Sequence, residues 1–220
     1  MPRYIDESAE RYVRAVGPDH DETHAAMAAF ADEHDFPIIG PVAGGVLRSY
    51  AAARRAERVF EFGSGFGYSA YWLLQGMADD GEIVLTELDA EELEKGEEFL
   101  ADAGEADRAT FERGDALEIA QEYDGPFDVV LIDHQKSRYA DAFELIREKL
   151  APGGVVIADN VLYGGHDYHD SLAYVEGDGE LPDDENARGI VRYLETVRSA
   201  DGFQTSVIPV GSGLAVTVRA

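Results

Sequence analysis

From residue 58 onward, short apolar runs alternate with longer amphipathic stretches, and this alternation restricts the fold more than any other feature of the chain. The runs are "RVFEF" (58–62), "EIVLT" (82–86), "ATFER" (109–113), "FDVVLI" (127–132), "GVVIA" (154–158), "QTSVIP" (204–209) and "GLAVTV" (213–218). Helical spacing predicts helices near 68–78, 90–103, 116–123, 138–150 and 186–200. Strands separated by helices are the pattern of a parallel sheet covered on both faces, so the expected fold is α/β, a doubly wound seven-stranded sheet. The turn sequence "VGSG" between the last two runs predicts an antiparallel C-terminal hairpin at one sheet edge. Residues 1–57 read instead as an N-terminal helical cap, with "DETHAAMAAFADEH" and "GGVLRSYAAARRA" separated by the turn-rich "DFPIIGPVAGG". The whole chain, 1–220, reads as one domain, with 58–220 as the sheet core. The stretch 163–186 is longer than ordinary connections and reads as a lid or a disordered loop.

Composition removes several chemistries. With no cysteine, disulfides, iron–sulfur clusters and thiolate catalysis are excluded. The charged start "MPRYIDESAERYVRAVG" lacks the apolar centre of a secretory signal, and no run reaches membrane-spanning length, so a soluble cytoplasmic protein is expected. A formal charge of −27, with Lys95, Lys136 and Lys149 the only lysines, resembles the composition of proteins from salt-accumulating halophiles. Concentrated salt screens such self-repulsion to within about 3 Å at 1 M. A protein that is merely acidic is the alternative, and refolding against added KCl separates the two.

Two kinds of motif carry chemistry. In "EFGSGFGYSA", Gly63, Gly65 and Gly67 follow a strand and open a helix, a turn in which backbone approaches a ligand closely and a nucleotide-type ligand is implied. Tyr68 stands where the dinucleotide fingerprint has its third glycine, so a hydride-transfer enzyme is a poor match. A glycine turn that binds nothing is the competing reading. Glu87 ends the next strand, where a carboxylate can hold both hydroxyls of a ribose, while Asp89 suits the cap of the following helix. Asp115, followed by Ala116, can reach an adenine edge or cap a helix. The second kind is the strand that ends in polar groups: "VLIDHQKSRY" stops at Asp133 and delivers His134, Gln135 and Lys136, and "VVIADNVLYGG" stops at Asp159 and Asn160.

These motifs together resemble the cation-dependent O-methyltransferases, class I S-adenosylmethionine enzymes with a Rossmann-like sheet that include the catechol and caffeoyl-CoA types. The likeness covers about residues 36 to 220. "DHQKSRY" is close to the catechol signature, and "VIPVGSGLAVTVR" is more similar to the tail of the caffeoyl-CoA branch. The resemblance implies that Asp133, Asp159 and Asn160 bind a divalent cation. Three oxygen ligands with open positions suit Mg²⁺, with Mn²⁺ or Ca²⁺ able to substitute. It also implies that Lys136 is the base, that Gly63, Gly65, Gly67, Tyr68, Ser69, Glu87, Asp115, Ala116 and Asp133 contact S-adenosylmethionine, and that the acceptor is a small vicinal diol of catechol-like character. The caffeoyl-CoA-like tail suggests a homodimer.

Other residues have lesser claims. His166 and His169 are read as solvated histidines before metal ligands, His134 as a packing or supporting group, and Phe36, Ile39, Tyr163 and Tyr168 as candidate acceptor walls. Two departures from the catechol enzyme make catechol itself doubtful: Gln135 replaces its tryptophan, and Ile208 is read in place of the glutamate that touches the second hydroxyl. Two rival functions are carried forward. One is methylation of a hydroxylated uridine in transfer RNA, for which the chain has little basic surface. The other is a cofactor-binding module without catalysis.

Overall fold

A computed structural model describes residues 7–163 and 168–220, apart from the side chain of Asp170. Its strands are β1 (Arg58–Phe62), β2 (Glu82–Glu87), β3 (Ala109–Arg113), β4 (Phe127–Ile132), β5 (Leu150–Ala158), β6 (Phe203–Ile208) and β7 (Leu214–Arg219). The α-helices among the described residues are α1 (Glu7–Val16), α2 (Glu22–Glu33), α3 (Gly40–Arg54), α4 (Tyr68–Leu74), α5 (Ala90–Asp102), α6 (Ala116–Gln121), α7 (Tyr139–Ile146), α8 (His169–Glu176) and α9 (Glu185–Ser199).

The seven strands form one sheet in the order β3-β2-β1-β4-β5-β7-β6. The first five in that order run parallel, and β7 enters antiparallel between β5 and β6. Sequence order reverses on either side of β1 and β4, and ligands of doubly wound sheets bind beyond the strand ends at such a switch. The apolar runs are continuous because both faces are covered. Val59, Leu85, Leu131 and Ile157 enter one core with Leu47 of α3 and Trp72 of α4, while Phe60, Val84, Val130 and Val156 enter the other with Phe143 of α7 and Tyr193 of α9.

Strand positions agree with the sequence reading within one residue except at β5, which starts at Leu150. The register with β4 shifts between Phe127 and Val129, so Leu150 pairs ahead of the irregular "APGG" segment and regular pairing resumes at Val155. Inside the expected loop 163–186 the structure has α8, ended by Gly177 in the left-handed region. The hydroxyl of Tyr174 donates to Glu195 of α9 at 2.9 Å, so α8 is anchored on the outer helical layer.

Candidate active site

Adjacent parallel strands bring the two polar strand ends together. Ile132 pairs with Phe62 on one side and with Ala158 on the other, so Asp133 and Asp159 are neighbours one step beyond the sheet. The backbone continues the ladder there: Asp133 N–H donates to Phe62 O at 2.9 Å, and Asp159 N–H donates to Ile132 O at 3.1 Å. Gly63 makes the convergence possible. Its φ is +82°, and a Cβ at that position would lie 2.7 Å from the Asp133 carbonyl oxygen.

Lys136 Nζ donates to Asp133 Oδ1 at 3.2 Å and to His134 O at 3.3 Å, and the Tyr139 hydroxyl donates to Asp133 Oδ1 at 3.4 Å. Asn160 stands in the left-handed region at φ 60° and donates its amide to Asp159 Oδ2 at 3.3 Å. Asp159 is 2 % exposed, and its Oδ1 has no hydrogen-bond partner. Burial, reinforced by Asp133, holds the Asp159 carboxyl well above the usual carboxylate range. Burial also raises Asp133, with Lys136 opposing it. Two crowded carboxyls, an unpartnered buried oxygen and a nearby amide fit a hard cation. Among the described residues no three His, Cys, Asp or Glu side chains form a metal-binding group; the oxygen-bearing groups at this point are Asp133, Asp159 and the Asn160 amide.

A cleft with two lobes surrounds these residues. One lobe is lined by Phe36, Ile38, Ile39, Gly63, Gly65, Tyr68, Ser69, Glu87, Asp133, Lys136, Asp159, Asn160 and Ser212. The other shares Gly63, Glu87 and Asp133 and adds Asp115, Ala116, His134, Gln135 and Arg138. Gly67 lies off both lobes: with φ +81° it turns the chain into α4 and backs onto Gly96 of α5. Glu87 is held rigidly, accepting from Gly65 N–H at 3.0 Å, Leu88 N–H at 2.7 Å and Asp89 N–H at 3.1 Å. Asp89 caps α5, and Asp115 caps α6 while also lining the second lobe. The remaining oxygen of Asp115 accepts from Arg138, whose guanidinium holds the Asp115 carboxyl below its usual range.

In the C-terminal hairpin, Ile208 packs against the first core and Ser212 of the β6–β7 turn lines the first lobe. Phe36 and Ile39 line the first lobe, and Tyr163 and Tyr168 meet each other edge to face at 6.0 Å. His134 packs as expected, stacked on Tyr139 at 5.5 Å, and burial lowers it to about 4. His166 lies outside the described residues, and His169 packs on Tyr168.

Besides the lining residues Ile38, Arg138 and Ser212, the supporting residues Gly189 and Glu61 were not singled out from the sequence. Gly189 of α9 faces the turn that carries Lys136, and a Cβ there would meet Lys136 O at 2.4 Å and Ser137 Cα at 2.7 Å. No local signal marks that contact. Glu61 does carry a signal, a carboxylate inside an otherwise apolar buried strand. It is fully buried on β1, accepts from the Ser69 hydroxyl and is pushed up to about 8, chiefly by burial, with Asp133 and Glu87 adding to the shift.

The raised Glu61 yields a stability prediction. Between its ordinary pKa near 4.5 and about 8, the folded state holds a proton that the unfolded chain has lost. Its contribution to stability is complete below that window and falls as pH rises through it, with a slope of up to about 1.4 kcal/mol per unit. Glu61→Gln is therefore expected to flatten the loss of stability between pH 5 and 8 in denaturant titrations; an unchanged slope would count against a neutral buried Glu61.

A sheet in this order, with an antiparallel terminal hairpin and a cleft beyond the ends of β1, β2, β4 and β5, defines the Rossmann-like methyltransferase class. A family model described as O-methyltransferase matches residues 38–220, and the chain belongs to that family. It is an S-adenosylmethionine-dependent O-methyltransferase. It is 28% identical over 172 residues to a catechol O-methyltransferase of Niastella koreensis, covering 75% of this chain and 77% of that protein. It is 25% identical over 210 residues to a caffeoyl-CoA O-methyltransferase of Stellaria longipes, covering 91% and 84%. The solved structure of the O-methyltransferase TomG from Streptomyces achromogenes in complex with SAM superposes with a TM-score of 0.82 at 26% identity, covering 97% of this chain and 96% of that one. Among the described residues no helix is long and apolar enough to cross a membrane.

Proposed function

We propose that this enzyme methylates one hydroxyl of a small molecule bearing two adjacent hydroxyls, with a divalent cation, Mg²⁺ or a substitute such as Mn²⁺, holding the acceptor. The observation that carries the reading is the meeting of Asp133 and Asp159 on neighbouring strand ends, with Lys136 Nζ 3.2 Å from Asp133. The names of the relatives from Niastella koreensis and Stellaria longipes support a hydroxylated aromatic acceptor.

Asp133, Asp159 and Asn160 would hold the cation. Glu87 would take the ribose hydroxyls of the cofactor, and the lobe with Asp115 and Ala116 its adenine, while Tyr68 and Ser69 line the other lobe on the methionine side. When bound, S-adenosylmethionine supplies a methyl group on a positively charged sulfur, and the cation lowers the pKa of a hydroxyl that coordinates it. The Lys136 amine takes the hydroxyl proton. Its Nζ donates to Asp133 Oδ1 at 3.2 Å, so the amine is held beside the proposed cation ligands. The rest of the chain's contribution is alignment, since holding reactants in line replaces a large entropic barrier.

The test is methyl transfer to a panel of catechol, caffeate and ortho-dihydroxy flavonoids, with bulk RNA as a further acceptor. Transfer to a diol is expected to stop in EDTA and to return with excess Mg²⁺. Transfer that persists in chelator would overturn the cation, and labelling of RNA alone would favour the uridine reading. The acid-rich surface supports use of the enzyme in concentrated salt. A module without catalysis is not favoured, because the family model and the relatives that the chain matches are O-methyltransferases.

A further inference from the structure

We infer that His20 is a positioning residue for the cofactor cleft and acts through Tyr68; the inference rests on the reading that this cleft takes S-adenosylmethionine. His20 lies between α1 and α2, ahead of the segment shared with the family. Its Nε2 is 2.7 Å from the Tyr68 hydroxyl, and the two rings meet edge to face at 5.8 Å. Tyr68 is the first residue of α4, is 3 % exposed and lines the lobe that contains Lys136 and Asp159. The phenol is thus held at both ends, at its backbone by the turn through Gly67 and at its hydroxyl by His20.

The surroundings make this hydrogen bond specific rather than incidental. His24, one turn further on, is buried, stacks on Trp72 at 3.9 Å and meets Tyr68 edge to face at 5.5 Å. Asp21 accepts from His24 N–H at 2.8 Å, from the Tyr71 hydroxyl at 3.1 Å and from the Gln75 amide. Asp21 and His24 therefore fasten the start of α2 to α4, and His20 is the member of this cluster that bonds a cleft-lining side chain. Phe36, from the segment after α2, lines the same lobe and lies where a side chain at Gly65 would otherwise sit. The N-terminal arm so completes the pocket that the sheet begins.

A hydrogen bond whose loss frees a buried hydroxyl changes affinity modestly, and its partners behave as one unit. The experiment is calorimetric titration of the full chain with S-adenosylmethionine and its demethylated product, for wild type, His20→Ala, His20→Gln, Tyr68→Phe and the double variant His20→Ala with Tyr68→Phe. Each single loss is expected to weaken binding about fivefold, and the double variant by hardly more than either. His20→Gln, which keeps a hydrogen-bonding group near the hydroxyl, is expected to recover most of the affinity. For His20→Ala, KM for the cofactor is expected to rise while kcat stays near wild type. Unchanged affinity in His20→Ala, or losses that multiply to about 25-fold in the double variant, would overturn the inference. Should His20→Ala not fold, Tyr68→Phe and His20→Gln decide it: Tyr68→Phe binding as wild type, or His20→Gln as weak as Tyr68→Phe, overturns it. Wild type that binds neither compound would refute the reading of the cleft itself.

Discussion

Lys136→Met is expected to lower methyl transfer by about three orders of magnitude while cofactor affinity stays close to wild type, since a positioned general base contributes roughly 10²–10⁴ in rate. The amine lies in the lobe lined by Asp133, Asp159 and Asn160, and methionine keeps most of its length without a group that can take a proton. Asp133 would lose its cationic partner, so the cation-free variant is expected to be less stable as well. Its residual rate should climb with pH, because ionisation of the acceptor in solution replaces the missing base. Single-turnover transfer measured beside a titration with demethylated cofactor checks both halves. Turnover equal to wild type would remove Lys136 from the chemistry.

Asp159→Asn is expected to move activity and stability in opposite directions. Its carboxyl is buried, has one unpartnered oxygen and is pushed upward by burial and by Asp133. Replacing the carboxyl would take a ligand from the proposed cation, and even groups that merely support a ligand cost about 10–100-fold, so at least about a hundredfold loss of transfer is expected. Without cation, the same change removes a buried carboxyl that is costly to ionise in the folded state, and the variant should melt above wild type at neutral pH. The sign with pH follows from proton counting. Wild-type Asp159 keeps a proton in the folded state at pH values where the unfolded chain has released it, so its contribution to stability falls as pH rises. The cation-free wild type should therefore lose its deficit against the variant toward mild acid, and added Mg²⁺ should reverse the order at neutral pH. A variant that melts lower without cation and still responds to Mg²⁺ like wild type would sink the assignment.

Much of the architecture was legible in the chain because a parallel sheet covered on both faces writes itself as apolar runs bounded by polar ends. "FDVVLI" and "RVFEF" have the limits in the structure that their composition implies. The candidate ligands were legible for a related reason: Asp133 and Asp159 each follow the last apolar residue of such a run, one step beyond the paired strands. Helix α8 was not legible, since a short, acidic helix stabilised by contacts with α9 has little intrinsic signal. That the hairpin meets the cleft at Ser212 depended on the path of its turn rather than on spacing.

Local rules reach as far as three or four residues, or along one strand, and within that range the sequence by itself determined most strands and helices, the glycine turn at Gly63 and Gly65 and the two polar strand ends. Contacts between residues far apart in the chain obey no such period. Only the tertiary structure decided that β4 and β5 lie side by side, that Gly189 backs the turn bearing Lys136, and that His20 reaches Tyr68 from outside the shared family segment. Strand order and helix docking are settled by burying both sheet faces at once, a condition on the whole chain that no local stretch carries.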